Sequence, residues 1–480
     1  MRILRSSKLT LINLIKMKIN NIVVIGLAAL TLSSCKTLYG KYERPDVNTK
    51  GLVRDTASIA DTLAVADTTS FANLPWRSVF TDPHLQELIE KGLKNNPDLL
   101  NAALNVDMAQ AQLKAAKLSF LPSFTFTPNG TLAGVQDVSG ITKTYTLPIN
   151  ASWNVDLWGK LLSSKRAAQV ALLQSKDYQV SVQTNLIANI ANMYYTLLML
   201  DKQVEIVNDM EKLTKDTWEI YKLQKDAILG IRSTAVQSAE ANYYSVLTQK
   251  EDLLRQIRTT ENSLSLVLGE SGHAIARGDI DQQNLPTSFS TGVGIQLLNN
   301  RADVHAAEMN LASCFYAIET ARASFYPALT ISATGAFSNS LGNAIVNPGK
   351  LLWNAIASLA QPIFQNGKLT AALRVSEAQY KQAYNTWQNS VLSAGNEVSN
   401  ALVLYNTSAK KSKLEEKQIA ALKKNVEDTR ELMASAGSNY LQVITAESSL
   451  LNAQLSKISD DFSKMQAIVN LYYALGGGAK

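Results

Sequence analysis

Apolar and polar residues alternate strictly along one stretch of this chain. In Thr144-Tyr145-Thr146-Leu147-Pro148-Ile149-Asn150-Ala151-Ser152-Trp153-Asn154-Val155, the residues Tyr145, Leu147, Ile149, Ala151, Trp153 and Val155 share one face. Thr, Pro, Asn and Ser fill the other. A period of two predicts a β-strand. The same period begins at Phe120, where a helical period ends. It returns where Leu329, Ile331, Ala333 and Phe337 alternate with Thr330, Ser332, Thr334 and Ser338, and more weakly around Trp353, Ala355, Ala357 and Leu359. Four strands are thus predicted. Very long helices lie between them. Residues 160–229 contain neither proline nor glycine, and a helix of that length would span about 100 Å at 1.5 Å per residue. Residues 368–435 match it. Leu451, Leu455, Ile458, Phe462, Met465, Val469 and Tyr472 repeat at spacings of 4 and 3, a heptad seam that asks for packed neighbours. Tyr243, Leu247, Leu254, Ile257, Leu264 and Leu268 give a comparable seam, interrupted by Lys250 and Glu261. Asp82-Pro83 and Asn96-Pro97-Asp98 read as helix starts, since Asp or Asn can cap and Pro fits the first turn.

The pattern occurs twice. Leu118-Ser119-Phe120-Leu121-Pro122 returns as Ala323-Ser324-Phe325-Tyr326-Pro327, and Asp156-Leu157-Trp158-Gly159-Lys160 as Phe364-Gln365-Asn366-Gly367-Lys368. Ala239-Glu240 returns as Ala446-Glu447, and Leu268-Gly269 as Leu475-Gly476. The offsets are 205, 208, 207 and 207 residues, so a whole domain half is duplicated rather than a short solenoid unit. Each half has a turn between its long helices, at Gly230, Ile231, Arg232 and Ser233 and again at Gly437, Ser438, Asn439 and Tyr440. Gly ends one helix and Ser or Asn caps the next. These turns are expected at the helix ends far from the strands.

The N-terminus sets the compartment. Arg2, Arg5, Lys8, Lys16 and Lys18 precede an apolar run over 22–32, which ends Leu32-Ser33-Ser34-Cys35. This is a secretory signal, and a Cys just after the cut makes it a lipoprotein signal with Cys35 as the lipid acceptor. The run is about half the length a spanning helix needs. Met17 is an alternative start. Residues 1–34 are read as signal peptide and 35–75 as a lipid-anchored tether along the outside of the folded body. The chain carries +6 at neutral pH. Removing the five positive charges of the signal leaves +1, so the basic balance says nothing for nucleic acid. Cys314 is then the one remaining thiol, expected in a helix core beside Leu311, Phe315 and Ile318.

An apolar face opposite a small polar face suits a half-buried sheet or a transmembrane barrel with a wet lumen. The lipoprotein signal favours the second. An open sheet edge is not tolerated in lipid, and the smallest barrels have about eight strands. Four strands per chain therefore require several chains, and three chains would give twelve strands.

The chain resembles the TolC-like outer-membrane efflux factors, in their lipoprotein branch, along nearly the whole mature sequence. The resemblance is carried by Pro75-Trp76-Arg77-Ser78-Val79-Phe80-Thr81-Asp82-Pro83-His84-Leu85, by Leu297-Leu298-Asn299-Asn300-Arg301-Ala302-Asp303-Val304-His305-Ala306-Ala307-Glu308, and by Pro362-Ile363-Phe364, Gly367 and the segment 437–447. Branch members show a basic residue and a proline where this chain has Asn300 and Ala302. The resemblance implies a mixed α/β membrane protein. Its duplicated halves, residues 76–272 and 296–480, would be joined by an equatorial linker at 273–295. It also implies a homotrimer in the outer membrane, with a twelve-stranded β-barrel above a long periplasmic α-helical barrel. The tips at 230–233 and 437–440 would meet a periplasmic adaptor (a membrane fusion protein) coupled to an inner-membrane resistance-nodulation-division pump. Family members often carry an acidic ring near the tips, where this chain has Ser438 and Asn439.

Nothing in the sequence favours an enzyme. His84, His273 and His305 are scattered without ligand spacing, and no phosphate loop or nucleophile elbow appears. His305 near Asp303 and Glu308 reads as a helix start rather than a metal site. Lys410, Lys411, Lys413, Lys417, Lys423 and Lys424 read as a solvated helix face. No cofactor is expected beyond the lipid on Cys35. The reading is a passive efflux duct for small molecules. The alternatives are a protein-secretion or metal-ion duct, or a lipid-anchored coiled-coil spacer. Methionines do not cluster as a soft-metal path would need.

Overall fold

The computed structural model describes residues 40–47, 52–53, 71, 74–134, 142–226, 233–286, 301–340, 350–434 and 440–479. In chain order the elements are α1 (Trp76–Val79), α2 (Pro83–Asn95), α3 (Pro97–Leu118), β1 (Ser123–Phe126), β2 (Asn129–Ala133), β3 (Thr142–Val155), α4 (Lys160–Asp226) and α5 (Ser233–Val267), then α6 (Ala302–Ala323), β4 (Ala328–Ser340), β5 (Lys350–Ala360), α7 (Lys368–Ala434) and α8 (Tyr440–Ala474). The duplication is exact in length for three pairs of helices. α3 and α6 each have 22 residues, α4 and α7 each 67, and α5 and α8 each 35. Two compact units are distinguished. The first comprises 107–174 and 308–386 with the described part of 1–46, and the second 47–106, 175–307 and 387–480.

The first unit holds one antiparallel sheet in the order β1-β3-β4-β5, with β2 also on β3. β1 and β2 are one strand with a gap. Ser123 faces Ser152 and Asn129 faces Thr146, an unbroken register. The gap falls at Thr127-Pro128, opposite Pro148, whose carbonyl accepts from the Thr127 amide at 3.3 Å. Proline donates no ladder hydrogen bond, and Pro148 stands opposite Thr127, next to Pro128, which confines the loss to one place. Each half of the sequence thus contributes two strands, as the alternation predicts. Gly159 and Gly367, at the turns into α4 and α7, both have left-handed φ, +72° and +76°. Glycine adopts that conformation without steric cost. In the same unit Cys314 is only half-buried, not the core residue expected. Leu311 and Ile318 take the buried positions, and burial still pushes the thiol up.

The second unit is helical. Its largest core cluster joins α1, α2, the middle of α4, the end of α5, α7 and α8 around Tyr194, Tyr195, Leu197, Val398 and Val469. The Asp82 cap forms as read from sequence, accepting from the His84 amide at 2.9 Å. Its other oxygen accepts from the Tyr194 hydroxyl at 2.6 Å and from the Gln283 amide at 2.7 Å. Asn96 caps α3 through Leu99 and donates to the Val267 carbonyl at 2.9 Å. The α8 seam holds, with Leu451, Ile458, Val469 and Tyr472 buried and Leu455, Phe462 and Met465 packed against the clusters. The α5 seam needs correction. Leu254 is exposed, and Val246 and Leu253 face the core instead. The polar interruptions are built in, since Lys250 pairs with Glu211 at 2.8 Å and Glu261 with Arg277 at 2.6 Å.

The echoed Leu-Gly pair closes α5 and α8. Gly269 (φ +74°) and Gly476 (φ +87°) are left-handed, with the Gly269 amide on the Leu266 carbonyl and the Gly476 amide on the Tyr473 carbonyl. Such a helix end favours glycine. A Cβ on Gly269 would lie 2.9 Å from the Asn95 carbonyl oxygen, and one on Gly395 would lie 2.4 Å from the Leu52 carbonyl oxygen. Gly395→Ala and Gly269→Ala are each expected to destabilise the protein by about 1–3 kcal/mol. Thermal unfolding of the detergent-purified protein reads this, and unchanged midpoints would refute both close approaches.

Candidate channel wall and helical tips

The sheet presents two chemically distinct faces. Register puts Leu147 with Phe337 and Leu351, Ile149 with Phe126 and Trp353 (through Gly335), and Trp153 with Ile331. These side chains stand exposed, Trp353 at 79% and Phe124 at 70%. Leaving so much contiguous apolar area in water would be costly. The opposite face is a hydrogen-bonded ladder of small polar groups. Thr330 donates to Asn154 at 3.0 Å, Thr334 to Asn150 at 2.9 Å, and Asn150 to Thr127 at 3.2 Å. β3 has 14 residues and β5 has 11, so tilted strands cover a hydrocarbon core of about 30 Å. Among the described residues no helix is long and apolar enough to cross a membrane.

The segment ahead of the first helix is tied down within the first unit. Arg44 grips the buried Glu308 carboxylate, with Nε at 2.8 Å. The Gly40 carbonyl accepts from Arg166 at 3.0 Å, and the Tyr42 ring meets Phe315 edge-on at 6.1 Å. Residues 40–44 thus run over the surface of the first unit. Cys35 itself lies outside the described residues.

The motif around 301–308 serves as a set of fasteners. In the second unit Arg301, 3% exposed, pairs with Asp303 at 2.6 Å and with Glu397, and donates to the Ala474 carbonyl at 3.2 Å. It thereby joins the start of α6 to α7 and the end of α8. His305 pairs with Asp177 at 2.6 Å. Asp303, His305 and Glu308 thus go to three different partners. Sequence reasoning missed these roles, although the buried arginine was visible as the one cation of the motif.

Of the tip residues, Gly230, Ile231, Arg232, Gly437, Ser438 and Asn439 lie outside the described residues. Ser233 opens α5 and is exposed, and Tyr440 opens α8 and is half-buried. Tyr440 packs against the cluster of Tyr221, Ala239 and Val443. Close by in sequence, Glu447 is completely buried. One of its oxygens accepts from the Thr217 hydroxyl at 2.6 Å, and the other meets no partner among the described residues. Burial pushes this carboxyl up to about 7, against the opposing pull of the Thr217 hydrogen bond and the Arg430 charge. The Tyr221 hydroxyl, also buried and unpartnered among the described residues, is raised in turn by burial and by Glu447. The echo Glu240 is half-exposed, so the two repeats differ at this point.

A sheet with two free edges, one face apolar and the other polar, in a chain with two 67-residue helices, defines an outer-membrane channel subunit. The family model described as outer membrane efflux protein matches residues 88–270 and 294–477, and the chain belongs to that family. It is similar to the probable outer membrane lipoprotein SilC of Salmonella typhimurium, 27% identical over 93% of this chain and 96% of that protein. The cation efflux system protein CusC of Escherichia coli K12 is 25% identical over 94% of this chain and 98% of its own. The open state of the Neisseria gonorrhoeae MtrE outer membrane channel superposes with a TM-score of 0.80 at 24% identity, covering 92% of this chain and 98% of that one.

A raised carboxyl binds its proton more tightly in the folded state, so its contribution is largest below the ordinary value of 4.5 and is lost as pH rises through about 7. The loss is on the order of 3 kcal/mol at most, at 1.36 kcal/mol per unit. Glu447→Gln is therefore expected to raise the thermal midpoint at pH 8 and to leave it nearly unchanged at pH 5. Equal shifts at both values would contradict a buried, protonated Glu447.

Proposed function

We propose that this chain is the outer-membrane duct of a tripartite efflux system, working as a lipid-anchored homotrimer whose barrel has twelve strands. The observation that carries this reading is the sheet with two free edges. β1 with β2 forms one edge and β5 the other, and backbone groups facing lipid without partners cost several kcal/mol each. Three copies of four strands close the ring. Residues 1–34 are removed, Cys35 carries the lipid, and 35–75 form the tether. The repeats at 76–272 and 296–480 flank an equatorial linker at 273–295. The helices continue the duct through the periplasm. The turns at 230–233 and 437–440 dock a periplasmic adaptor, which couples the duct to an inner-membrane resistance-nodulation-division pump. The chain performs no catalysis; the pump supplies the work, and small molecules move passively. CusC is named for cation efflux, which makes cations a second cargo class for this chain.

Mass measurement in mild detergent should find a homotrimer. A folded monomer that keeps its β signal would overturn the duct reading. Cys35→Ser should abolish acylation yet leave the trimer in the membrane fraction, because a barrel outweighs one or two acyl chains as an anchor.

At the tips, Gly437→Val and Gly230→Val should impair export and adaptor cross-linking while trimer levels stay normal. Normal export in both variants, with no adaptor cross-link at these turns in the unmodified protein, would reject the docking assignment.

A further inference from the structure

We infer that about 20 Å of the barrel's inner wall carries no fixed charge and no imidazole, thiol or thioether, so that this stretch passes solutes without sorting them by the sign of their charge. The inference rests on the barrel reading above and extends it to cargo class. It follows from register. Along β3 the even-numbered residues share the polar face, and pairing carries that face to odd residues of β1 and β2 and to even residues of β4 and β5. Four successive levels of this face begin with Asn154, Ser152, Asn150 and Pro148. Every residue at those levels, across β1, β3, β4 and β5, is Ser, Thr, Asn, Pro, Ala, Leu or Ile. Three intervals of two residues make about 20 Å at 3.3 Å per residue.

The chemistry of this wall is specific. Hydroxyls and amides offer both donors and acceptors, so they solvate a cation or an anion with equal facility. They also bond to one another across the strands, as the Thr334–Asn150 contact at 2.9 Å and the Asn150–Thr127 contact at 3.2 Å illustrate. Their dipoles are thereby turned along the wall. Leu352 and Ile356 stand exposed on this face of β5, giving an apolar solute surface to slide along. Asp, Glu, His, Cys and Met are missing from these levels, so a soft metal ion would cross without stepping between thiolate, thioether or imidazole ligands. Charged residues of the same parity flank these levels on both sides: Asp156, one level beyond Asn154 and accepting from the Leu162 amide, and Lys350, which register sets opposite Ser338. Ser338 is six residues from Ser332, about 20 Å of strand, and screening at physiological salt acts over about 8 Å. Asp156 is four residues from Ser152, about 13 Å of strand, so the Ser332 level lies more than one screening length from either flanking position. Selection by charge belongs elsewhere along the export route.

The test places a thiol on the wall from the outside, which needs no opened tip. Ser332→Cys is made in a Cys314→Ser background, and intact cells are treated with cationic and anionic methanethiosulfonate reagents. The ratio of the two rates, divided by the ratio for a small free thiol, should lie within about threefold of unity. A ratio of about tenfold or more in either direction would show a charged wall and overturn the inference. Thr334→Glu, one level away and within one screening length, should then raise the cationic rate relative to the anionic rate several-fold. An unchanged ratio would mean that residues 332 and 334 do not share a confined face, which also overturns it. Ala333→Cys, on the apolar face, should resist both water-soluble reagents. If Ala333→Cys were labelled and Ser332→Cys were not, the barrel reading itself would fall, a result distinct from a charged lumen.

Discussion

Backbone hydrogen bonding at the sheet edges is the constraint from which the rest of this structure follows. A strand edge in water finds partners in the solvent. In hydrocarbon it finds none, and each unmet group costs several kcal/mol. The apolar face formed by Phe124, Phe126, Ile149, Trp353 and Leu359 commits the sheet to hydrocarbon. Its two edges then commit the chain to copies of itself. The interior of the sheet obeys the same rule. Pro148 sits in a strand with neighbours on both sides, and the ladder breaks opposite it at Thr127-Pro128 with one amide still bonded across.

The long helices solve a different problem. A 67-residue helix needs packing along its length, since propensity alone stabilises it weakly. The clusters along α4, α5, α7 and α8 supply that packing, and ion pairs, half-buried at Lys250–Glu211 and deeper at Glu261–Arg277, punctuate it. Arg301 is the most constrained of these groups. Its guanidinium is held by two carboxylates and a backbone carbonyl and lies 5.5 Å from the Tyr473 ring. A buried charge is tolerated when it is paired and hydrogen-bonded in this way. Glu447 is the contrasting case, buried with one oxygen unmet, and it holds its proton near neutrality instead.

Much of this was legible in the sequence because it depends on local periodicity. Strand alternation at 144–155 and 329–338 gave both the strands and their faces, and the repeat offsets gave helices of matching length. The glycines of the two Leu-Gly echoes have the left-handed φ that explains their recurrence. What depends on a distant partner was not legible. The heptad spacing puts Leu254 on the α5 seam, but packing selects Leu253 and Val246, because the partner helices and not the heptad alone choose the buried line. Glu261 reads as an interruption in the local pattern, and its partner Arg277 lies sixteen residues on. Glu240 and Glu447 looked equivalent, and only their surroundings separate them. The pairing of Pro148 with the Thr127-Pro128 gap needed the register of two strands.

The account's central claim is that the free edges of one chain pair with those of its neighbours. It is tested most directly by disulfide scanning, with one cysteine on β1 or β2 and one on β5 in a Cys314→Ser background. Within a chain these strands stand three strand spacings apart, on the order of 14 Å, too far for a disulfide, which needs Cα atoms within about 7 Å. Oxidation of membranes should therefore yield a ladder ending at a covalent trimer for the pairs in register. Disulfides confined within single chains, or none at any register, would contradict a barrel closed between copies.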